Sequence, residues 1–152
     1  MFSEPSTNNE KPVLTTDEVW QNLPQKPPFL FVDKILNRDQ KTITTEYFVT
    51  GEEYFFRGHF PGNPIVPGVI LQEALFQSGN LLMATLNGTD ETGLGVVTRV
   101  ENAKFRNLVR PGDRLQMEVS LDEQLDNAFY FSGKTKVNGK VVVVIKFTCA
   151  KI

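Results

Sequence analysis

The sequence predicts an α+β domain in which a curled antiparallel sheet wraps one long central helix. Residues 68–86 carry a single charged side chain, Glu73, and read as one helix about 28 Å long at ~1.5 Å per residue. That helix is apolar on nearly every side, so it must be buried all round rather than laid on a surface. Downstream, the chain is a succession of strand patterns, two of them joined by Asn138-Gly139, the pair that a type I′ hairpin turn demands. A sheet curled around the helix satisfies all three observations.

Residues 1–12 are polar and poor in core formers, which predicts a mobile tail, with residues 13–152 as one domain. Thr15 followed by Glu18 is a capping-box signature; Val19, Trp20 and Leu23 give a short helix its apolar face, and Pro24 stops it. Pro27-Pro28 enforces extended backbone. Phe29 to Leu36 and Thr42 to Val49 read as strands of a hairpin around residues 37–41. A loop rich in aromatics (Tyr54, Phe55, Phe56, Phe60) leads to Pro67-Gly68 and the long helix, whose end Asn87-Gly88 marks. Gly95 to Val100, Ala103 to Leu108, Arg114 to Leu121, Phe129 to Val137 and Val141 to Ala150 are the remaining strands, with Val141 to Ile145 apolar enough for a central one. Such a half-open sheet leaves an edge and a mouth for a second subunit to cover.

A chain of 152 residues suits one domain, since domains commonly run ~100–150 residues. A net charge of −2 argues against nucleic acid as the partner. Within that acidic chain, Arg99, Lys104, Arg106, Arg110 and Arg114 face only Glu101 and Asp113, a local excess that either steers an acidic partner or keeps a strand edge from aggregating. The lone Cys149 permits neither an intrachain disulfide nor a cysteine zinc cluster, and fits a reducing cytoplasm. Neither an export signal nor a membrane span is indicated.

The chemistry-bearing residues gather in one stretch. His59 is the only histidine, and between Arg57 and Asp90 the only charged side chain is Glu73. Glu73, Gln77 and Asn80 fall at i, i+4 and i+7, one stripe of the helix. A carboxylate set among Ile70, Leu71, Ala74 and Leu75 either reaches a backbone N–H or an arginine such as Arg57 or Arg99, or serves a functional cavity with a raised pKa. His59 is either a packed residue beside Phe60 or a base aimed by its loop, where Pro61, Gly62, Pro64, Pro67 and Gly68 restrict the backbone. Gly68 at the helix start offers free N–H groups and the positive end of the helix dipole to a carbonyl oxygen. A base near neutral pH, an acid of raised pKa and an oxyanion donor together suit proton abstraction next to a carbonyl.

The string Gly58-His59-Phe60-Pro61-Gly62-Asn63-Pro64-Ile65-Val66-Pro67-Gly68-Val69, followed by Glu73-Ala74-Leu75-Phe76-Gln77, closely resembles the active-site segment of the (3R)-hydroxyacyl-acyl carrier protein dehydratases of bacterial type II fatty acid synthesis. Leu23-Pro24, Pro28 to Asp33, Lys104-Phe105-Arg106 and Val109 to Asp113 follow in the family's order, so the resemblance spans roughly residues 14–150. It implies a hotdog fold, a homodimer with sheets side by side, and, in the branch carrying glutamate, trimers of such dimers. Glu73 rather than aspartate points to the FabZ-like branch, which dehydrates, and away from the FabA-like branch, which also isomerises the double bond. By that resemblance His59 removes the C2 proton, Glu73 of the opposite subunit protonates the departing hydroxyl, Gly68 holds the thioester carbonyl, and Gln77 orients Glu73. Phe60 joins Gly68 and Gln77 on the substrate side.

No metal or redox cofactor is implied. The substrate arrives on phosphopantetheine, and Lys104, Arg106 and Arg110 are placed to meet an acidic acyl carrier protein. The chain departs from the family pattern at Gln25-Lys26, where histidine-arginine is common, and across residues 94–102. Three other readings stand beside dehydration: an acyl thioesterase, an enoyl-coenzyme A hydratase on the same fold, and a non-catalytic carrier-binding protein.

Overall fold

A computed structural model describes residues 10–86 and 94–152. Helix α1 (Asp17–Asn22) is capped one residue later than the sequence signature implies. Thr16 accepts from the Val19 N–H at 3.5 Å, while Thr15 is buried and donates its own N–H to the Pro12 carbonyl. The cap moves because Thr16 N–H is anchored to the Asp33 carbonyl at 2.8 Å, which places the chain's turn there. Glu18 pairs with Arg38 instead of returning to the cap. Lys11, in the expected tail, donates to the Thr15 carbonyl and pairs with Asp17.

The first strand also starts later than predicted, as β1 (Lys34–Arg38). Ahead of it the chain turns at Phe29, whose N–H donates to the Lys26 carbonyl at 2.8 Å, and one side chain holds the next groups: Gln77 accepts from Phe31 N–H at 2.8 Å and donates to the Phe29 carbonyl at 2.9 Å. Those bonds take the Phe31 N–H and the Phe29 carbonyl away from a strand partner, and the pairing with β2 begins at Asp33, whose N–H donates to the Glu46 carbonyl at 2.7 Å. β2 (Thr42–Phe48) completes the hairpin, and a 3-10 turn (Tyr54–Arg57) precedes the loop to helix α2 (Gly68–Leu86). The Asn87-Gly88 stop signal lies outside the described residues.

The two strands predicted for residues 95–108 form one, β3 (Gly95–Phe105), because Asn102 at φ 54 absorbs the irregularity as a bulge. β4 (Arg114–Leu125), β5 (Ala128–Val137) and β6 (Lys140–Lys151) extend slightly beyond their predicted ends. Asn138 at φ 50 and Gly139 at φ 79 make the expected left-handed pair. All pairings are antiparallel, in the order β1-β2-β4-β5-β6-β3, so β3 and β1 are the edges. This is the hotdog architecture: the sheet curls around α2, which packs on β2 through β6.

Aromatic packing seats the helix. Phe131 stacks on Phe147 with centroids 5.1 Å apart, Phe76 meets Phe147 edge-on at 4.9 Å, and all but Phe76 are buried. A Cβ on Gly79 would lie 3.1 Å from the Phe147 ring, so glycine there sets how closely helix and sheet approach. Contrary to the expectation of burial all round, one side of the helix is open, because the sheet curls around only part of its circumference. Val69 is 69% exposed, and Glu73, Phe76 and Asn80 continue a half-buried line along the side the sheet leaves open.

Asp33, 8% exposed, accepts from Phe48 N–H at 2.7 Å and ties the Pro28–Asp33 segment to β2. Burial pushes its pKa up to about 6, against the opposing effect of that hydrogen bond. A carboxyl raised in the folded state contributes stability present below its unfolded pKa and lost as pH rises through about 6. Asp33→Asn keeps an oxygen for Phe48 N–H but cannot titrate. In urea unfolding at about pH 5 and about pH 7, the variant is expected to lose less stability over that interval than the wild type; equal losses would refute the linkage.

Candidate active site

The 3-10 turn begins the strap that carries His59. Gly58 and His59 both donate N–H to the Phe55 carbonyl, and Phe60 and Asn63 close the next turn reciprocally, with Gly62 at φ 74. The backbone of Ile65 returns to His59 through its N–H at 3.1 Å, and the Ile65 carbonyl takes the imidazole Nδ1 at 2.9 Å. A carbonyl only accepts, so Nδ1 bears the proton and Nε2 keeps its lone pair. The ring is half-buried and stacks on Phe60, centroids 4.1 Å apart.

The strap is fastened from outside. Val66 N–H donates to the Val109 carbonyl at 2.8 Å, and Arg110 Nη1 reaches Asn63 Oδ1 at 2.7 Å and the Pro64 carbonyl at 3.4 Å. Arg110, expected to meet a carrier protein, is therefore engaged with the His59 strap. It is a contact that sequence reasoning missed, since 47 residues separate it from Asn63.

Gly68 opens α2 directly after Pro67, whose carbonyl accepts from Ile70 and Leu71 N–H, so the amides of Gly68 and Val69 are the ones that the helix geometry leaves without an intrahelical acceptor. A Cβ on Gly68 would lie 3.0 Å from the Phe105 ring, so the end of β3 packs against the helix N-terminus. One turn further, Glu73 accepts from Gln77 Nε2 at 3.2 Å. Burial raises the Glu73 pKa and the Gln77 bond only partly opposes it. The alternative partner Arg99 is paired with Glu101 at 2.5 Å. Gln77 itself is fully buried, with both of its polar atoms committed to Phe29, Phe31 and Glu73. Asn80 completes the stripe toward the edge strand, where a side chain on Gly95 would collide with its Oδ1.

The hydrogen bonds of His59 and Glu73 thus run to different neighbours, one in the strap and one on the helix. Cys149 is buried and its thiol is pushed up to about 12, first by burial and second by the Glu73 charge, so it stays protonated and packs as a small hydrophobe. Among the described residues no three of the metal-binding types are gathered. No helix of the described chain is long and apolar enough to cross a membrane. Lys26, at the departure noted in the sequence, donates to the Trp20 and Leu23 carbonyls and covers the Trp20 ring at 4.3 Å. It closes the end of α1.

The basic run of residues 99–114 does not stay together in space. Arg99 holds Glu101, Arg114 holds Glu46, and Arg110 holds the strap. Lys104 and Arg106 instead line a cleft of about 820 Å³ on the outer face of the sheet. A second cleft, of about 700 Å³, lies beside Phe31, Asp33, Tyr47 and the 3-10 turn. Neither is lined by His59 or Glu73.

The chain is similar to the FabZ 3-hydroxyacyl-[acyl-carrier-protein] dehydratase of Rickettsia massiliae, 37% identical over 137 residues, which cover 90% of this chain and 94% of the relative. The FabZ of Rickettsia bellii is 38% identical over 132 residues, 86% and 91% of the two chains. Among solved structures, the ApeI:P dehydratase heterocomplex from Xenorhabdus doucetiae superposes with a TM-score of 0.76 at 16% identity, covering 88% of this chain and 90% of that one. The PaaI protein of the E. coli phenylacetic acid degradation operon superposes at 0.62 with 14% identity, over 77% and 81% of the chains. Those two likenesses concern the fold. The family model for the FabA-like domain matches residues 23–146, and the chain belongs to that family.

Proposed function

We propose that this protein dehydrates (3R)-hydroxyacyl-acyl carrier protein to the trans-2-enoyl thioester, in fatty acid or related lipid synthesis. The observation that carries the reading is the pairing of chemistries: an imidazole whose Nδ1 is held by the Ile65 carbonyl so that Nε2 is the nitrogen left for substrate, and a half-buried carboxyl, Glu73, whose pKa is raised. The identity with FabZ dehydratases over about nine-tenths of the chain supports it.

In this reading His59 Nε2 takes the C2 proton, and the electron pair moves toward the thioester carbonyl, whose oxygen is held by the Gly68 N–H at the positive end of α2. Collapse of that enolate forms the C2–C3 double bond and expels the C3 hydroxyl, which leaves as water with the proton of Glu73. Transfer of the proton from imidazolium back to the carboxylate closes the cycle. Phe60, 48% exposed and stacked on His59, lies on the substrate side. Gln77 positions the carboxyl. The chemistry uses no metal or redox cofactor, and the acyl group rides on phosphopantetheine of an acyl carrier protein.

The site is completed by a second copy. β3 is a sheet edge, and Val96, Val97 and Val100 stand 37%, 39% and 43% exposed along it, a surface that a two-fold partner covers. His59 of one subunit then faces Glu73 of the other, in a dimer or a trimer of dimers. The protein works in the cytoplasm.

A trans-2-enoyl thioester tests the reaction in reverse. Loss of conjugated absorbance without thiol release is expected; thiol release alone would make the protein a thioesterase, and silence of a folded protein a scaffold. His59→Ala and Glu73→Gln should each lower kcat by about 10² to 10⁴ while leaving the circular dichroism unchanged, and near-normal rates in either would reject the assigned roles.

Because burial holds the Glu73 proton above the ordinary carboxyl range, kcat/KM is expected to fall at a pH above that range as the acid ionises. Arg110→Ala should lower kcat roughly ten- to a hundredfold with KM little changed, by loosening the His59 strap, and Arg110→Lys should restore part of it. A fall confined to KM would instead place Arg110 in contact with the carrier.

A further inference from the structure

One polar residue of the helix stripe has no task in the proposed reaction. Val69, Glu73, Phe76, Asn80 and Ala84 recur at three- and four-residue spacing and are all exposed or half-buried, so they mark a groove along the open side of α2. Asn80 stands in that groove two turns past Glu73, about 10 Å further along the helix axis. Its Oδ1 is enclosed, yet among the described residues it accepts no hydrogen bond. The atom lies over Gly95, the first residue of β3, where a side chain would collide with it and would meet Met83 Sδ at 3.3 Å. Asn80 and Met83 thus fill the space between α2 and the start of the edge strand.

A structural tie does not account for Asn80. An amide that joins elements uses its polar atoms, as Gln77 does one turn earlier, whereas the enclosed Asn80 oxygen is left unsatisfied, a state that folded proteins avoid. Alanine there would remove the orphaned oxygen and suit the helix better. The substrate gives the position a meaning. In the dehydratase reading the thioester carbonyl sits at Gly68 and the C3 hydroxyl at Glu73, so C1 to C3 runs from the N-terminus of α2 toward its C-terminus. The rest of the acyl chain continues in that direction, past the Phe76 ring, and arrives at Asn80.

We propose that the side chain of Asn80 is the end wall of the acyl channel and sets the chain length that the protein accepts, admitting an octenoyl group and obstructing a dodecenoyl group. The inference rests on the dehydratase reading and narrows its substrate class. With bonds of about 1.5 Å an extended hydrocarbon advances about 1.3 Å per carbon, so from C3 an octenoyl chain ends after roughly 6 Å and a dodecenoyl chain after roughly 11 Å. The first stops short of Asn80; the second has to pass it. The bulk of the amide, closed against Gly95 and Met83, blocks that passage. The next residue of the stripe is Ala84, small and half-buried, so a single side chain decides the limit.

The test is a chain-length profile with trans-2-enoyl groups on one acyl carrier protein, so that the carrier contributes equally throughout. The wild type should hydrate the octenoyl thioester with kcat/KM at least about tenfold above that for dodecenoyl. Asn80→Ala should raise kcat/KM for dodecenoyl at least about tenfold and leave crotonyl and octenoyl within about twofold of wild type. Asn80→Leu, which keeps the shape of the side chain without its amide, should keep the wild-type profile. Equal rates of the wild type on both lengths, an Asn80→Ala profile unchanged or altered alike at every length, or an Asn80→Leu profile as open as that of Asn80→Ala would overturn the proposal. If the wild type hydrates no length, the dehydratase reading fails, and the wall is judged by calorimetric binding of octanoyl-pantetheine and dodecanoyl-pantetheine. A preference for octanoyl that Asn80→Ala abolishes supports it; equal binding of the two by the wild type, a preference that the variant keeps, or no binding to either protein overturns it.

Discussion

A buried amide governs this architecture. Gln77 sits on the central helix with no exposure to solvent, where leaving either polar atom without a partner costs about 1–3 kcal/mol. Its oxygen takes Phe31 N–H, and its nitrogen serves both the Phe29 carbonyl and Glu73. One side chain therefore locks the segment before β1 to the helix and sets the direction of the carboxyl that the proposed chemistry uses. Shifting the helix by a residue would leave all three partners unsatisfied at once.

The same dry interior determines the electrostatics. Asp33, Glu73 and Cys149 all have burial as the leading cause of a raised pKa, and each retains its proton more firmly than in water. For Cys149 the result is an inert thiol. For Asp33 it is a structural tie to β2 through Phe48. Only Glu73 combines that environment with a position on the open side of the helix, and only there does a retained proton have somewhere to go. The outer face of the sheet has the opposite character, with lysines and hydroxyls in rows that the inner aromatic packing against Gly79 does not constrain.

The strap that carries His59 is held by groups distant in the chain. Ile65 fixes the imidazole, Val109 fixes Val66, and Arg110 fixes Asn63 and Pro64. The basic run between Arg99 and Arg114 thereby divides into separate tasks: ion pairs at Arg99 and Arg114, a clamp at Arg110, and a surface at Lys104 and Arg106. Linear density of charge did not translate into a spatial patch, because successive strand residues face opposite sides and the turn at Pro111-Gly112 redirects the chain.

Periodicity and turn chemistry alone determined the long helix at Gly68–Leu86, the Asn138-Gly139 hairpin and the antiparallel strands, because those follow from residue type and spacing within one segment. The rarity of charge between Arg57 and Asp90 likewise singled out His59 and Glu73 before any coordinates. The shift of the helix cap to Thr16, the delayed start of β1 and the fusion of two strands at Asn102 were decided by tertiary partners: Asp33, Gln77 and β6. So were the raised pKa of Glu73, the clamp at Arg110 and the meeting of Asn80 with Gly95. Burial and register depend on which distant segments pack together, and a linear pattern carries the preference of each segment without the identity of its neighbour.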